Sequence, residues 1–158
     1  VLIGSGSTTV EVARNLAGKR DLKVITNALN VANVLVAMPE ITTILIGGVL
    51  RNSELSMIGH LAEQVLAELS ANKVIMGIRA LSVERGLTNE LGIETSIDRL
   101  IVRSAPQLII VADHSKLGRT ASVSIAPASA IHTLVTDTEA PAATLAELRK
   151  LGMQIIQA

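Results

Sequence analysis

Seven short apolar runs rich in β-formers, at 1–3, 22–26, 42–46, 73–76, 108–112, 132–136 and 153–156, alternate with segments of helical periodicity near 10–16, 29–36, 61–69, 95–104 and 143–151. No other feature of the chain restricts its fold as much. A strand that is apolar on both faces must be covered on both, and helices placed between successive strands supply that cover. The sheet is then mostly parallel and its crossovers right-handed. With 158 residues, 49% of them hydrophobic, and no internal repeat, the chain suits one core. The expectation is a single α/β domain over 1–158, three-layered, with a mostly parallel sheet flanked by helices.

In such a sheet ligands sit beyond the carboxyl ends of the strands, so the residues that follow each run matter most. The first run breaks into Gly4, Ser5, Gly6, Ser7, Thr8 and Thr9 ahead of a helix. The glycines let the backbone bend sharply and come close to a ligand. The hydroxyls stand beside the free N–H groups of the first helical turn, which suits a phosphate. The same residues also read as an ordinary N-cap, with Ser7 or Thr8 capping and Glu11 in the capping-box position. The P-loop lysine and the third glycine of a dinucleotide fingerprint are both missing, which argues against nucleoside triphosphates and NAD.

Later strand ends carry similar chemistry. Asn27 follows the second run, Gly47, Gly48 and Arg51 the third, Arg79 the fourth, and Lys116 lies in a polar stretch after the fifth. Each also has a plain reading: Asn27 as a helix cap, Gly47-Gly48 as a turn, Arg51 as a surface residue. Glu94 opens the helix that follows 86–89, a place where a carboxylate suits the helix dipole whether or not it meets a ligand.

Composition removes several function classes. Without Phe, Tyr or Trp there is no stacking platform for bases or sugar rings, so a ligand must be held by hydrogen bonds and charge. Without Cys there is no thiolate nucleophile and no Cys-ligated metal. His60, His114 and His132 are scattered and make no metal spacing, so neither metal nor cofactor is expected. Fourteen basic residues balance fourteen acidic ones, which leaves no surface for free nucleic acid. No apolar run is long enough to span a bilayer, which excludes a membrane partner and favours a cytoplasmic location. The chain opens inside a strand, and the expectation is that a segment precedes it.

Taken in order, these stretches resemble the effector-sensing domain of the DeoR family of bacterial transcriptional repressors. The match runs through the Ser/Thr-Gly turn at 4–9, Val24-Ile25-Thr26-Asn27-Ala28-Leu29-Asn30, Ile46-Gly47-Gly48-Val49-Leu50-Arg51, Met57-Ile58-Gly59, Glu84-Arg85-Gly86-Leu87-Thr88, Glu94, and Ala112-Asp113-His114-Ser115-Lys116-Leu117-Gly118. The resemblance implies a fold similar to ribose-5-phosphate isomerase and the CoA transferases, used as a switch rather than a catalyst. It also implies a phosphorylated sugar or similar anionic metabolite as effector. Operator DNA would be bound through an upstream helix-turn-helix domain absent here, in a homo-oligomer.

Two positions depart from the family pattern. Gly4 stands where an Asp is common, and Gly77-Ile78-Arg79-Ala80 replaces Gly-x-Asp-Gly. Arg79 cannot accept sugar hydroxyls, so a more acidic ligand is expected, with Arg79 pairing Glu94 or the phosphate, or Asp98, which stands where a Lys is frequent. The alternative function is a sugar-phosphate isomerase using Glu94 as base and Lys116 as electrophile. Against it, residues 77–81 hold no acid to position sugar hydroxyls. A third reading is a pure oligomerisation module. The apolar stretches 31–38 and 122–130 are the expected surfaces of self-association.

Overall fold

The computed structural model of the chain describes residues 1–90, 92 and 94–158. In chain order its elements are β1 (Leu2–Ile3), α1 (Ser7–Arg14), β2 (Leu22–Thr26), α2 (Leu29–Leu35), β3 (Ile41–Leu45), β4 (Val49–Arg51), β5 (Ser56–Ile58), α3 (His60–Glu68) and β6 (Val74–Met76). There follow β7 (Ala80–Ser82), β8 (Gly86–Asn89), α4 (Glu94–Arg103), β9 (Leu108–Val111), β10 (Val123–Ala126), β11 (Thr133–Thr136), α5 (Ala142–Lys150) and β12 (Gln154–Gln157). No helix among the described residues is long and apolar enough to cross a membrane.

The seven apolar runs are the seven strands of one sheet, ordered β12-β11-β9-β6-β1-β2-β3, with every neighbouring pair parallel. From β1 the chain builds to one side through β2 and β3. It then returns to lay β6 on the other side of β1, and continues outward through β9, β11 and β12. The direction of building therefore reverses between β1 and β6, the position at which open α/β sheets leave a crevice. Leu2 lies in register with both Ile25 and Val74.

Alternation along β1 divides the core between the faces of the sheet. Leu2 packs with Leu66 of α3 and with Ile97 and Ile101 of α4, whereas Ile3 packs with Ala13 of α1 and with Val31 and Leu35 of α2. Helices cover the sheet as the apolar runs require, and α1 starts at Ser7 rather than near 10 because Gly6 marks its beginning.

Two small antiparallel sheets do not follow from the sequence pattern. One is the hairpin β4–β5, in which Val49 pairs with Ile58 and Arg51 with Ser56. The other is the three-stranded sheet β10-β8-β7. Their strands are three or four residues long, too short to display a period of two.

The apolar stretches 31–38 and 122–130 serve the domain's own core in part: Val31, Ala32 and Leu35 are buried, as are Ala126 and Ala128, whereas Val36 stays 79% exposed. Most of the other exposed large apolar side chains lie between 44 and 65: Ile44, Leu45, Val49, Leu50, Leu55, Leu61 and Val65.

Gly86 opens β8 at φ 66°, and a Cβ there would stand 2.2 Å from the Ala126 carbonyl oxygen and 2.5 Å from the Ala128 nitrogen. Both are backbone atoms, so β10 would have to move. Gly86→Ala should therefore lower stability by about 1–3 kcal/mol, the usual cost of overpacking, measurable as a drop in the urea midpoint; an unchanged midpoint would show that β8 and β10 are not held at this spacing.

Candidate ligand-binding site

A cleft of about 250 Å³ opens where β1 and β6 diverge, just under the range of about 300–1,000 Å³ that holds drug-sized ligands. One side is built by strand ends: Gly4, Ser5, Gly6, Ser7 and Thr8 after β1, Asn27 after β2, Met76, Gly77, Ile78 and Arg79 at the end of β6, and Asp113 and Lys116 after β9. The opposite side comes from the hairpin (Arg51, Glu54, Ser56), from β8 (Thr88, Asn89) and from α4 (Glu94, Asp98).

At the first side the chain turns through Gly6, whose φ of 134° suits only glycine. Gly6 is the N-cap of α1 and supplies no side-chain cap, so the N–H groups of the first turn keep their usual deficit of partners. The N-cap reading of Ser7 and Thr8 does not hold: neither caps the helix, and Glu11 pairs with Arg14 instead of closing a capping box. The Ser7 and Thr8 side chains remain exposed.

Thr9 is the exception in this turn. It is fully buried and donates its hydroxyl to the Gly6 carbonyl at 2.8 Å, outside the cleft lining. Gly4 has a packing role besides its place in the cleft, since a Cβ there would lie 3.2 Å from Met76 Cβ.

Lys116 ends a short 3₁₀ turn, His114–Lys116, whose start is held by Asp113 accepting from the Ser115 N–H at 2.8 Å. Among the described residues no carboxylate pairs with Lys116.

The other end of the cleft is a network of charge. Arg51 reaches Glu94 at 3.1 Å, its Nε donates to the Ser56 hydroxyl at 3.4 Å, and it lies 4.0 Å from Glu54. Arg79 pairs with Glu54. Asp98 accepts from the Asn89 amide at 2.7 Å, and its burial pushes the carboxyl up to about 6, with the nearby Glu94 acting in the same direction.

The expected pairings of Arg79 with Asp98 or with Glu94 are therefore not formed. The hairpin, invisible in the sequence pattern, delivers Glu54 to Arg79 and Arg51 to Glu94. The missing acid at 77–81 is likewise made good from elsewhere, by Glu54, Glu94 and Asp98. Leu55 takes a φ of 51°, costly for a residue with a side chain, at the turn that carries Glu54.

Gly47 and Gly48 lie outside the cleft lining, whereas Asn27 lines it and also has a structural role. Gly48, at φ 144°, would place a Cβ 2.7 Å from the Ile58 carbonyl oxygen, so it permits the close approach of the hairpin's start to β5. Gly47 faces open space. Asn27 is not the cap of α2, whose N-cap is Ala28. Its amide donates to the Met57 carbonyl at 3.2 Å, tying the hairpin to β2, and its Oδ1 is buried without a partner.

Sequence reasoning missed Glu54, Ser56, Thr88 and Asn89 as cleft residues, and it took Asp98 only as a partner for Arg79. Thr88 lay in the matching stretch 84–88 but was not singled out, and Glu54, Ser56 and Asn89 carry no motif, because the short antiparallel strands that bring them to the cleft leave no sequence pattern.

The model of the DeoR C-terminal sensor domain matches residues 1–138. The chain belongs to this family. It is 33% identical over 156 residues to a putative aga operon transcriptional repressor of Escherichia coli O157:H7, covering 99% of this chain and 58% of that protein. It is 31% identical to a putative sgc region transcriptional regulator of Escherichia coli K12, covering 97% of this chain and 58% of the relative. Against the glycerol-3-phosphate regulon repressor of the same strain the identity is 29%, over 98% of this chain and 62% of the relative. The chain thus spans about three fifths of the length of these relatives. Among solved structures it is similar to ribose 5-phosphate isomerase A from Methanocaldococcus jannaschii, at TM-score 0.49 and 17% identity, over 73% of this chain and 46% of that one.

The sensor domain's Lys116 turn is clamped from behind by Asp137, which accepts from the His114 backbone N–H at 2.8 Å and meets the imidazole Nδ1 at 3.1 Å. That side-chain bond raises the pKa of His114 above its ordinary value of about 6.5, and the bond from the His114 N–H holds Asp137 low. His114 contributes stability fully below about 6.5 and loses it as the pH rises through its raised folded value. Asp137 contributes above the ordinary carboxylate range and loses it as the pH falls through its depressed value. Asp137→Asn should bring the NMR titration of His114 back toward 6.5; a titration that does not move would show that Asp137 does not hold the imidazolium.

Proposed function

We propose that this is the effector-sensing domain of a bacterial transcriptional repressor, cytoplasmic and non-enzymatic, which takes a phosphorylated sugar or a related anionic metabolite into the cleft. Occupancy controls DNA binding by a helix-turn-helix domain N-terminal to it. The observation that carries the reading is the uncapped start of α1 in the same cleft as Lys116, a cation without a carboxylate partner among the described residues. Free N–H groups, a helix dipole, two exposed hydroxyls and an ammonium outside any close ion pair among the described residues together suit a phosphate. The relatives described above are transcriptional repressors or regulators by name, which supports the regulatory part.

For such a domain to act as a switch, the ligand must bind two states of the protein with different affinity. Isomerase chemistry asks for more, namely a carboxylate free to approach a substrate proton at about 3 Å. Glu94 is instead engaged by Arg51 at 3.1 Å.

The domain self-associates, and the surface that serves this is the exposed apolar stretch between 44 and 65. It joins the edge strand β3, the hairpin and α3, with Val49 65% and Leu61 63% exposed. A second copy suits it because an apolar patch exposed on both partners can pair with itself about a two-fold axis.

Two outcomes follow. Lys116→Ala should weaken binding of pentose or hexose phosphates by about tenfold or more, since a charge-assisted bond contributes about 1.5–3 kcal/mol. Calorimetry in which the phosphates and their unphosphorylated parents bind alike would reject the phosphate assignment. In sedimentation the domain should be oligomeric, and Leu61→Glu with Val65→Glu should leave it monomeric. An oligomer untouched by both changes would place the interface elsewhere.

A further inference from the structure

The charges at the far end of the cleft do not balance. Three carboxylates, Glu54, Glu94 and Asp98, meet two guanidinium groups. Arg79 is taken by Glu54 and Arg51 by Glu94, which leaves Asp98 without an ion-pair partner among the described residues. Among those residues it accepts from the Asn89 amide at 2.7 Å, whereas an ionised carboxylate has about four acceptor positions. A partly buried carboxylate in that condition calls for hydrogen-bond donors from whatever fills the cleft.

The sequence-based expectation pointed the other way, toward a ligand with a second acid drawn by Arg79. An acidic head would have to share Arg79 with Glu54, and would then face Asp98, which has no ion-pair partner among the described residues. A head bearing hydroxyl or ammonium groups meets neither obstacle.

Resting on the phosphate reading above, we infer that Asp98 determines ligand specificity: it accepts hydrogen bonds from the end of the ligand farthest from the phosphate, which carries hydroxyl or ammonium donors and no second acid. Asn89 is the positioning residue that orients the carboxylate. The charged groups that act on Asp98 are Glu94 on its own helix, Arg51 from the hairpin and Arg79 beyond β6. Of the other ionisable groups on or against α4, Glu63 of α3 accepts from the Ser96 hydroxyl, and Arg99 donates to the Ser124 carbonyl at 2.7 Å.

A ligand donor stabilises the ionised carboxylate, so binding lowers the pKa of Asp98 and releases protons around pH 6. The second ionisation of a phosphate ester, also near 6, adds its own proton exchange. That exchange is common to wild type and Asp98→Asn, so the difference between the two proteins reports Asp98 alone.

The test is calorimetry on wild type and Asp98→Asn with inorganic phosphate, glucose 6-phosphate, glucosamine 6-phosphate and 6-phosphogluconate, in buffers of different ionisation enthalpy at pH 6. In wild type, glucose 6-phosphate or glucosamine 6-phosphate should bind at least about tenfold tighter than both inorganic phosphate and 6-phosphogluconate. Whichever of the two is tighter identifies the donor as hydroxyl or ammonium. Asp98→Asn should remove most of that gain and the extra proton release, and should leave inorganic phosphate unchanged. The inference falls if 6-phosphogluconate binds most tightly, if no ester exceeds inorganic phosphate, or if ranking and proton count survive the substitution. Failure of inorganic phosphate to bind or compete, with ester affinities still tracking Asp98, would overturn the phosphate reading and leave the role of Asp98 standing.

Discussion

The side-by-side pairing of β1 with β6 is the constraint on which the rest of this domain depends. Ile3 stands in register with Ile75, and the Gly4 N–H donates to the Ile75 carbonyl at 2.9 Å, so the two strand ends stay joined to the point where the chain must turn away. Gly4 makes that possible, because any side chain there would press on Met76 at 3.2 Å. Since the chain leaves β1 toward β2 and leaves β6 toward β9, the connections depart in opposite directions and a crevice remains between them. The α1 N-terminus enters from one side. The pairing of β6 with β9 then sets the distance at which the Lys116 turn enters from the other.

The facing wall is held differently. The hairpin is tied to the sheet by backbone bonds, from Met57 N–H to the Asn27 carbonyl and from Leu29 N–H to the Leu55 carbonyl, both at 2.7 Å. Toward α4 it is held by the Arg51–Glu94 pair, whose side chains keep 21% and 15% of their exposure. The pair is largely buried, so breaking it outright would be costly, but a ligand group that takes the place of one partner can exchange it, whereas the backbone bonds stay. The cleft thus has a fixed side, set by the parallel sheet, and an exchangeable side, set by charge.

This division also explains what could be read from the sequence. The parallel sheet was legible because its strands are buried on both faces and leave unbroken apolar runs, and the residues just beyond them, from Gly4 to Thr8 and on to Arg79 and Lys116, were found by position alone. Where a residue was misjudged, a local contact decided its fate: Thr9 turns inward to the Gly6 carbonyl, and Gly48 is needed where the chain passes Ile58. The opposite wall was illegible because β4, β5, β7 and β8 are too brief to show alternation. Which acid meets which arginine depends on pairings such as Arg51 with Ser56 and Ala80 with Thr88, between strands with no mark of their own. Arg79 was assigned to Glu94, the phosphate or Asp98 only because Glu54, twenty-five residues earlier, had no visible reason to be near it.

The same division bears on how a sensor of this build would work. To move a two-state equilibrium from 1:99 to 99:1, a ligand must prefer one state by about 10⁴-fold, or about 5.5 kcal/mol. A charge-assisted hydrogen bond contributes about 1.5–3 kcal/mol, so two to four such bonds must exist in one state and be absent from the other. The phosphate side is a poor source of that difference. Its donors are the N–H groups and hydroxyls at the start of α1, anchored to the end of a buried sheet, and the Lys116 ammonium on a turn held by Asp113 and Asp137, so that side offers few groups to re-partner. The difference has to arise on the exchangeable wall, where Arg51, Arg79 and Asp98 can be re-partnered without unfolding anything. On the proposed reading the phosphate would provide affinity, and the groups at the ligand's other end, through the residues they displace or satisfy, would provide the signal.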